Sequence, residues 1–277
     1  MQFSIVTPSF SQLGWLKRCV RSVADQEGVS VEHIIQDAGT GPELDEWVRT
    51  NSKAQLYVEK DSGMYDAVNR GFARATGDYC AFLNCDEQYL PGTLAAVAQA
   101  FDDNPDANAI AGDFLVLDAE NQLISFRKVT PLRRAMIESD HLYAFTCGIF
   151  FRRRLLEEGI QFNSNLKDVA DLEWVCEVLR RGHRFALLHR YLSTFVFTGD
   201  NRSVQGLAKS ELAAIHARVS TPVRLAAPAL RAVRHVEKLL AGGYRSDPIT
   251  YKIYAEDDAT ERTSFTCEKP SYKYPTA

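Results

Sequence analysis

No run of apolar residues in this 277-residue chain approaches the roughly 20 that a membrane-spanning helix needs. Met1 leads straight into the strand-like Phe3-Ser4-Ile5-Val6, without the charged stretch and apolar core of a secretion signal. Both absences predict an untargeted, cytoplasmic chain. The six cysteines (Cys19, Cys80, Cys85, Cys147, Cys176, Cys267) are scattered, with no CxxC pair and no His at zinc spacing. That spacing argues against a structural zinc, and such cysteines read as small buried apolar side chains in a reducing compartment. A large charge excess is missing too: 32 Lys and Arg face 36 Asp and Glu, a net charge of −4. So near a balance argues against a dedicated nucleic-acid binder.

What is present is an ordinary globular composition, 45% hydrophobic and 25% charged, long enough for one large α/β domain with an appendage or for two small domains. Sorted by position, the charge is uneven. Residues 1–200 carry 20 basic and 28 acidic side chains, whereas residues 201–277 carry 12 and 8. A compositional boundary near residue 200 follows, with a catalytic-type unit over 1–203 and an extension over 204–277.

Phe3 to Thr7 reads as a buried strand, and Leu13, Leu16, Val20 and Val23 recur behind it at helical spacing. Val31 to Gln36 and Leu56 to Val58 read as further strands. Helices carrying Leu44, Trp47 and Val48, then Val68, Phe72 and Ala75, alternate with them, and the strand Tyr79 to Leu83 follows. Such alternation predicts a parallel sheet with helices on both faces, its functional groups at the carboxyl ends of the strands. A helix at 93–104, an apparent hairpin (109–117 with 123–129), a strand at 149–151, a helix near 171–181 and a strand-like 184–197 make the sheet mixed.

The strand ends carry carboxylates: Asp37 after the second strand, Asp61 after the third, Asp86 and Glu87 after the fourth. Any one alone reads as a turn or helix-cap residue. Three at one edge of a sheet repel each other, and a divalent cation or a set of hydroxyl and imide donors offsets that repulsion. Hard oxygen ligands without His or Cys nearby suit Mg²⁺ or Mn²⁺.

The segment Glu59-Lys60-Asp61-Ser62-Gly63-Met64-Tyr65-Asp66-Ala67-Val68-Asn69-Arg70-Gly71, continued by Ala75-Thr76-Gly77-Asp78-Tyr79-Cys80-Ala81-Phe82-Leu83-Asn84-Cys85-Asp86-Glu87, resembles family 2 glycosyltransferases of the GT-A fold. The opening Ser4-Ile5-Val6-Thr7-Pro8-Ser9-Phe10 is similar to the first strand of that family. The resemblance covers roughly residues 3–200 and implies an α/β, Rossmann-like mixed sheet flanked by helices, with a C-terminal helical extension. It also implies a metal-dependent, inverting transfer of sugar from a UDP- or GDP-type donor to a hydroxyl of a glycan or lipid-linked acceptor, in surface polysaccharide biosynthesis.

The same resemblance implies roles by residue. Thr7, Pro8, Ser9 and Asp37 hold the base and ribose, and Asp61 lies beside them at the start of a helix whose N–H groups approach the nucleotide. Asp66, Asn69 and Arg70, at i, i+3, i+4 spacing, share a helix face that is either solvated or turned to the pocket. Asp86 matches the last acid of a DxD-type motif and is the expected ligand of Mn²⁺ or Mg²⁺. The first acid is replaced by Asn84, and Glu87 stands as a second ligand or behind the first. Ahead of the helix near 171–181, Lys167-Asp168-Val169-Ala170-Asp171-Leu172-Glu173 offers the general base that an inverting transfer needs; Asp171 is the expected base, Asp168 and Glu173 the reserves. Arg202, in Thr198-Gly199-Asp200-Asn201-Arg202-Ser203, is a candidate to close over the diphosphate or an ordinary surface arginine. His141 is either near the acceptor or structural.

Other readings have distinct signatures. A sugar nucleotidyltransferase needs a Gly-rich, basic phosphate loop where Thr7-Pro8-Ser9-Phe10-Ser11 stands, and a processive synthase needs membrane helices and a Gln-x-x-Arg-Trp motif; neither occurs. A catalytically inactive nucleotide-sugar-binding or scaffold protein is the alternative of a different class. Residues 205–243 read as helical and carry seven Lys and Arg across 205–245 against Glu211 and Glu237. That face suits a peripheral membrane or partner contact, or equally packing on the main domain or a twin subunit in a homodimer. The polar, Tyr-rich tail from Tyr244 reads as a partly extended wrap or a subunit exchange arm.

Overall fold

The first strand, β1 (Gln2–Ser9), is buried from Phe3 onward, as a strand covered on both faces of a sheet must be. The computed structural model describes residues 1–197 and 206–274. Helix α1 (Leu13–Ala24) leads to β2 (Ser30–Asp37), α2 (Pro42–Asn51), β3 (Gln55–Val58), α3 (Met64–Phe72) and β4 (Tyr79–Phe82). Strands β1, β2, β3 and β4 pair in parallel. Ser9 lies opposite Asp37, and Asp37 opposite Val58, so the loops that follow leave from one edge. Gly71 lets α3 lie close on β1: a Cβ there would meet Val6 Cγ1 at 2.4 Å.

The second half is mixed, as expected. It runs β5 (Gln88–Tyr89), α4 (Thr93–Asp103), β6 (Ala109–Leu117), β7 (Leu123–Arg127), α5 (Arg134–Ser139), β8 (Ile149–Arg152), α6 (Arg154–Glu157), α7 (Ala170–Arg180) and β9 (Phe185–Val196). The nine-stranded sheet has the order β3-β2-β1-β4-β8-β6-β9-β5, with β7 also on β6. Strand β8 is antiparallel to both β4 and β6, so β6 points the same way as β4. Helices cover both faces. Tyr65, Val68 and Phe72 of α3 pack with Leu172, Trp174 and Val175 of α7 on one side, and Cys19, Val23, Leu94, Val97 and Phe101 of α1 and α4 form the core of the other.

In the extension, helices α8 (Gly206–Ala217) and α9 (Thr221–Leu240) form the helical stretch, and the tail is a hairpin of β10 (Ile249–Ile253) and β11 (Thr263–Cys267). The hairpin wraps back on its own chain: Ile249, Tyr251 and Ile253 share a core with Leu115, Leu117 and Phe126. Alternation in Ile249-Thr250-Tyr251-Lys252-Ile253 is the period-2 pattern of a strand with one buried face. Gln88 exchanges two hydrogen bonds with the backbone of Tyr254. Arg262 forms a forked pair with Asp25 (2.6 and 2.7 Å) and donates to the carbonyls of Tyr89, Lys252 and Ser22. Breaking that cluster leaves Asp25 and three carbonyls short of a donor. Arg262→Ala is therefore expected to lower stability by about 2 kcal/mol, read as a fall in the urea midpoint; an unchanged midpoint refutes the role given to the hairpin.

Candidate active site

The site is assembled where β1 and β4, neighbours in the sheet, end side by side. Strand β4 is buried throughout and Leu83 continues it, its N–H bonding to Val6 O, so the turn Asn84–Glu87 starts from a rigid base. Glu87 is only 1% exposed. Its carboxylate turns back onto the turn and accepts the Asn84 N–H at 2.8 Å. Glu87 thus braces the turn, the arrangement of the second of its two expected roles. The Asp86 carboxylate takes a hydrogen bond from its own N–H and forms no ion pair among the described residues. Burial raises the pKa of both acids, and the charge of Asp86 raises that of Glu87 further.

Two buried polar atoms beside this turn have no hydrogen-bond partner among the described residues: Ser9 Oγ, at the end of β1, and Asn84 Oδ1. Buried polar atoms are almost always paired, so two orphans at adjacent strand ends leave hydrogen-bonding capacity open there. Pro8 is buried beside Ser9 within β1. Thr7 is different. Its hydroxyl points into the core, 2.9 Å from His33 Nε2 and 3.7 Å from Cys19 Sγ, and holds strands together instead of facing a nucleotide. Thr7 and Ser9 share a parity along the strand, but the Thr7 hydroxyl has partners in the core and Ser9 Oγ has none among the described residues.

Asp37 is fully buried. It accepts the Gly39 N–H at 2.8 Å, the Thr40 N–H at 2.6 Å and the Thr40 hydroxyl at 2.5 Å. Most of its capacity shapes the 38–41 loop beside the strand end. Asp61 caps the turn into α3 by accepting the Gly63 N–H at 2.9 Å; Gly63, at φ 136°, occupies backbone space that favours glycine. Asp66 and Asn69 do structural work where pocket contacts were expected. Asp66 accepts the N–H and hydroxyl of Ser62 and pairs with Arg70 at 3.0 Å, bonds that hold its pKa below the usual carboxylate range. The Asn69 amide donates to Phe162 O at 2.7 Å and accepts from Phe162 N at 3.0 Å, a clamp that fixes its orientation.

That clamp has a consequence at the site. Phe162 stacks on Tyr65 and on Trp174, with ring centroids 5.7 and 5.2 Å apart, and the Tyr65 hydroxyl donates to Asp171. Asp171, in the first turn of α7, also accepts the Leu172 N–H at 2.8 Å. It borders a small apolar cavity with Phe82, Thr146, Phe162 and Trp174. Burial there pushes its pKa up to about 6, against the lowering effect of the Leu172 and Tyr65 hydrogen bonds. Its charge also raises the pKa of Glu87, so the fold brings the α7 acid and the β4 turn, more than eighty residues apart, into one electrostatic unit. Glu173 lies two positions on, roughly 200° around the helix, and faces away from Asp171. Asp168 adds negative charge near both Asp171 and Tyr65. Arg202 lies outside the described residues.

Three residues unassigned from sequence matter here. Tyr65 orients Asp171. Glu211 of α8 accepts the N–H groups of Lys167, Asp168 and Val169 at 2.8, 3.0 and 3.3 Å and fixes the loop that presents α7. Lys167 Nζ donates to Ser62 O at 2.8 Å and ties that loop to the start of α3. Tyr65 stood within the resembling segment, a usable signal; nothing near Glu211 announces that it reaches a loop more than forty residues earlier. Through Glu211, helix α8 thus reaches the loop ahead of α7. Removing the phenol hydroxyl takes away a bond that lowers the pKa of Asp171. Tyr65→Phe is expected to move the acid limb of the kcat/KM profile to higher pH, and an unmoved limb refutes the contact's role.

A parallel nucleotide-type half, a mixed second half, and acids and orphaned polar atoms at the strand ends define a GT-A glycosyltransferase. The sequence profile described as glycosyl transferase family 2 matches residues 4–160, more than half of the chain, and the chain belongs to that family. Over 200 residues it is 26% identical to the PGL/p-HBAD biosynthesis glycosyltransferase of Mycobacterium bovis (strain BCG / Pasteur 1173P2), covering 70% of this chain and 75% of that one. Among solved structures it is similar to S. aureus TarS 1–349 in complex with UDP (TM-score 0.60, 15% identity, 88% of this chain and 75% of that chain). It is also similar to the mannosyltransferase PcManGT of Pyrobaculum calidifontis in complex with GDP-Man and Mn²⁺ (TM-score 0.56, 16% identity, 86% and 71%). In another TarS 1–349 structure the likeness spans 60% of the TarS chain.

Proposed function

We propose that this chain moves a sugar, with inversion, from a UDP- or GDP-type donor to a hydroxyl of a glycan or lipid-linked acceptor in surface polysaccharide biosynthesis. The observation that carries the reading is the pair of orphaned buried atoms, Ser9 Oγ and Asn84 Oδ1, beside Asp86, in a turn whose Glu87 feels the charge of Asp171. An inactive binding protein has no need of an acid tuned to about 6 by burial at that point.

Among the described residues no group of three or more His, Cys, Asp or Glu side chains stands together as a metal cage. Asp86 with the Asn84 carbonyl still offers hard oxygen donors, and Mg²⁺ or Mn²⁺ sites often use one or two carboxylates and leave positions for phosphate oxygens. The donor set therefore fits such an ion, with Asp86 holding it and Glu87 bracing the turn. When bound, the metal neutralises charge on the departing nucleoside diphosphate. Ser9, Asp37 and Asp61 line the edge on which the nucleoside rests, and the start of α3 presents N–H groups there. Asp171, ionised above pH about 6, accepts the proton of the attacking hydroxyl. Tyr65 holds the carboxylate in place as it does so.

The lipid-linked form of acceptor is favoured by α9. That helix has no buried residue, and Leu225, Val236, Leu239 and Leu240 form an outward stripe that is 77% exposed at Leu225 and 81% at Leu240. Arg224 and Arg231 flank the stripe at helical spacing, a pattern that suits the surface of an anionic bilayer. Among the described residues no helix is long and apolar enough to cross a membrane. Flotation with anionic vesicles at low salt is the expected outcome, and none removes membrane contact from the reading. The reading as a whole is tested by a panel of UDP-, GDP- and dTDP-sugars with Mn²⁺, following nucleoside diphosphate release with and without acceptor; binding without turnover on every donor supports the inactive alternative.

A further inference from the structure

The inward side of α9 is as basic as its outward side is apolar. Between this helix, the end of β7 and the loop before β8 lies a cavity of about 180 Å³. Four cations line it, Arg127, Lys128, Arg234 and Lys238, together with His141 and His235, and no carboxylate is among its lining residues. Its size suits a phosphate or diphosphate group, far more than one water.

The cations are built in and not merely exposed. Arg234 donates to Asp140 Oδ2 at 3.0 Å and bonds His141 Nε2 at 3.2 Å, while Asp140 also lies 3.1 Å from His141 Nδ1. That chain makes His141 an acceptor toward Arg234 and fixes the guanidinium at the cavity wall. Arg127 and Lys238 form no ion pair among the described residues. Instead Arg127 lies over the Tyr274 ring, and Lys238 over Tyr244 at 4.7 Å and Tyr272 at 5.8 Å. Burial, and the nearness of Arg127 and Arg234, push the Lys238 pKa down to about 8. Burial and Arg234 lower that of Arg127 as well. Like charges held together in a half-buried cavity raise its free energy when empty, and a multiply charged anion relieves it. The nearby acid Asp113 is occupied, accepting the Val129 N–H at 2.8 Å and lying 3.5 Å from His189.

Sheet register places the cavity relative to the reaction. Strand β9 covers one edge of β6, so β8 and β7 share the other. Ala109 stands level with Phe151, and Phe151 with Cys80 of β4. Arg127, opposite Phe114, lies five residues further along β6, at the level of the turn that carries Asp86. It is on the far side of β4 from the nucleotide strands β1 to β3. A group bound there lies across β4 from the strands that end at Ser9, Asp37 and Val58, the side left open to a second substrate.

We propose that this cavity binds a phosphate or diphosphate group of the acceptor. The inference rests on the glycosyltransferase reading and adds the acceptor's chemical class. The test uses the full chain and inorganic pyrophosphate, titrated calorimetrically in EDTA so that no metal bridges it to the donor site. Saturable binding is expected, at least tenfold weaker in Arg127→Gln/Lys238→Gln and several-fold weaker in Lys128→Gln, a half-exposed position where folding is not at stake. Equal binding by wild type and both variants overturns the proposal, as does competitive displacement of pyrophosphate by UDP, which would assign the anion to the donor site. Citronellyl phosphate and glycerol 3-phosphate as competitors separate a lipid phosphate from a polymer phosphate: displacement by either supports the proposal and names the source, and displacement by neither overturns it. Loss of cavity binding in the variants with no donor turned over by wild type would overturn the enzymatic reading alone.

Discussion

Asp171→Asn is expected to slow transfer by a factor on the order of 10² to 10⁴ while leaving the affinity for the nucleotide sugar unchanged. The amide preserves the shape of the side chain, so the Leu172 N–H and the Tyr65 hydroxyl keep an oxygen to donate to. What disappears is the site that takes the acceptor's proton. The effect is therefore expected on kcat, because the carboxylate lies on α7 and not among the strand-end residues proposed for the nucleotide. Donor binding measured beside steady-state rates separates the two. The wild-type rate should fall as pH drops through about 6, since the protonated acid cannot serve as base and burial holds its pKa there. A wild-type-like Asp171→Asn would move the role to Asp168, the neighbouring acid whose charge already reaches Asp171.

Asp86→Ala is expected to remove metal-stimulated transfer, a loss on the order of 10³ if the ion contributes several kcal/mol to the departing diphosphate. Folding should tolerate the change, because burial of this carboxylate is a cost that no ion pair among the described residues offsets. The variant should melt no lower than wild type. Titration with Mn²⁺ provides the check: wild type rises with the metal and the variant stays flat. A variant that responds to Mn²⁺ like wild type would show that the ion is held elsewhere. A variant that loses both activity and its cooperative melt would show instead that Asp86 braces the turn, the work the structure gives to Glu87 through its bond to Asn84.

The parallel half of the sheet was legible in the sequence because each strand there is a short apolar run ended by a turn, and each helix shows its apolar face at 3.6-residue spacing. Asp86 was legible for the same reason, since a carboxylate that directly follows a buried strand has one place to be. Asp66 and Asn69 were not. Their i, i+3 spacing placed them on adjoining helix positions, but spacing is silent on what lies opposite: Ser62 and Arg70 for one, the Phe162 backbone for the other. Thr7 is a case of the same kind, because the strand pattern is silent on His33 lying within reach of its hydroxyl.

The extension shows the limit most clearly. Composition identified residues 201–277 as a basic segment, and helical spacing identified its helices, since both are local properties of the chain. Which residues that segment touches is set by contacts across tens to hundreds of positions: Glu211 under the α7 loop, Arg262 on Asp25, Arg234 and Lys238 turned inward around a cavity. The sequence by itself determined the family, the alternation of strands and helices, and the row of acids at the strand ends. Only the tertiary structure decided which acids are taken up by neighbouring N–H groups, which tyrosine lies beside Asp171, and that the basic helix faces a cavity as well as solvent. Local pattern follows from propensity and periodicity, whereas the partner of a polar group depends on which distant backbone and side chains the packed core leaves beside it.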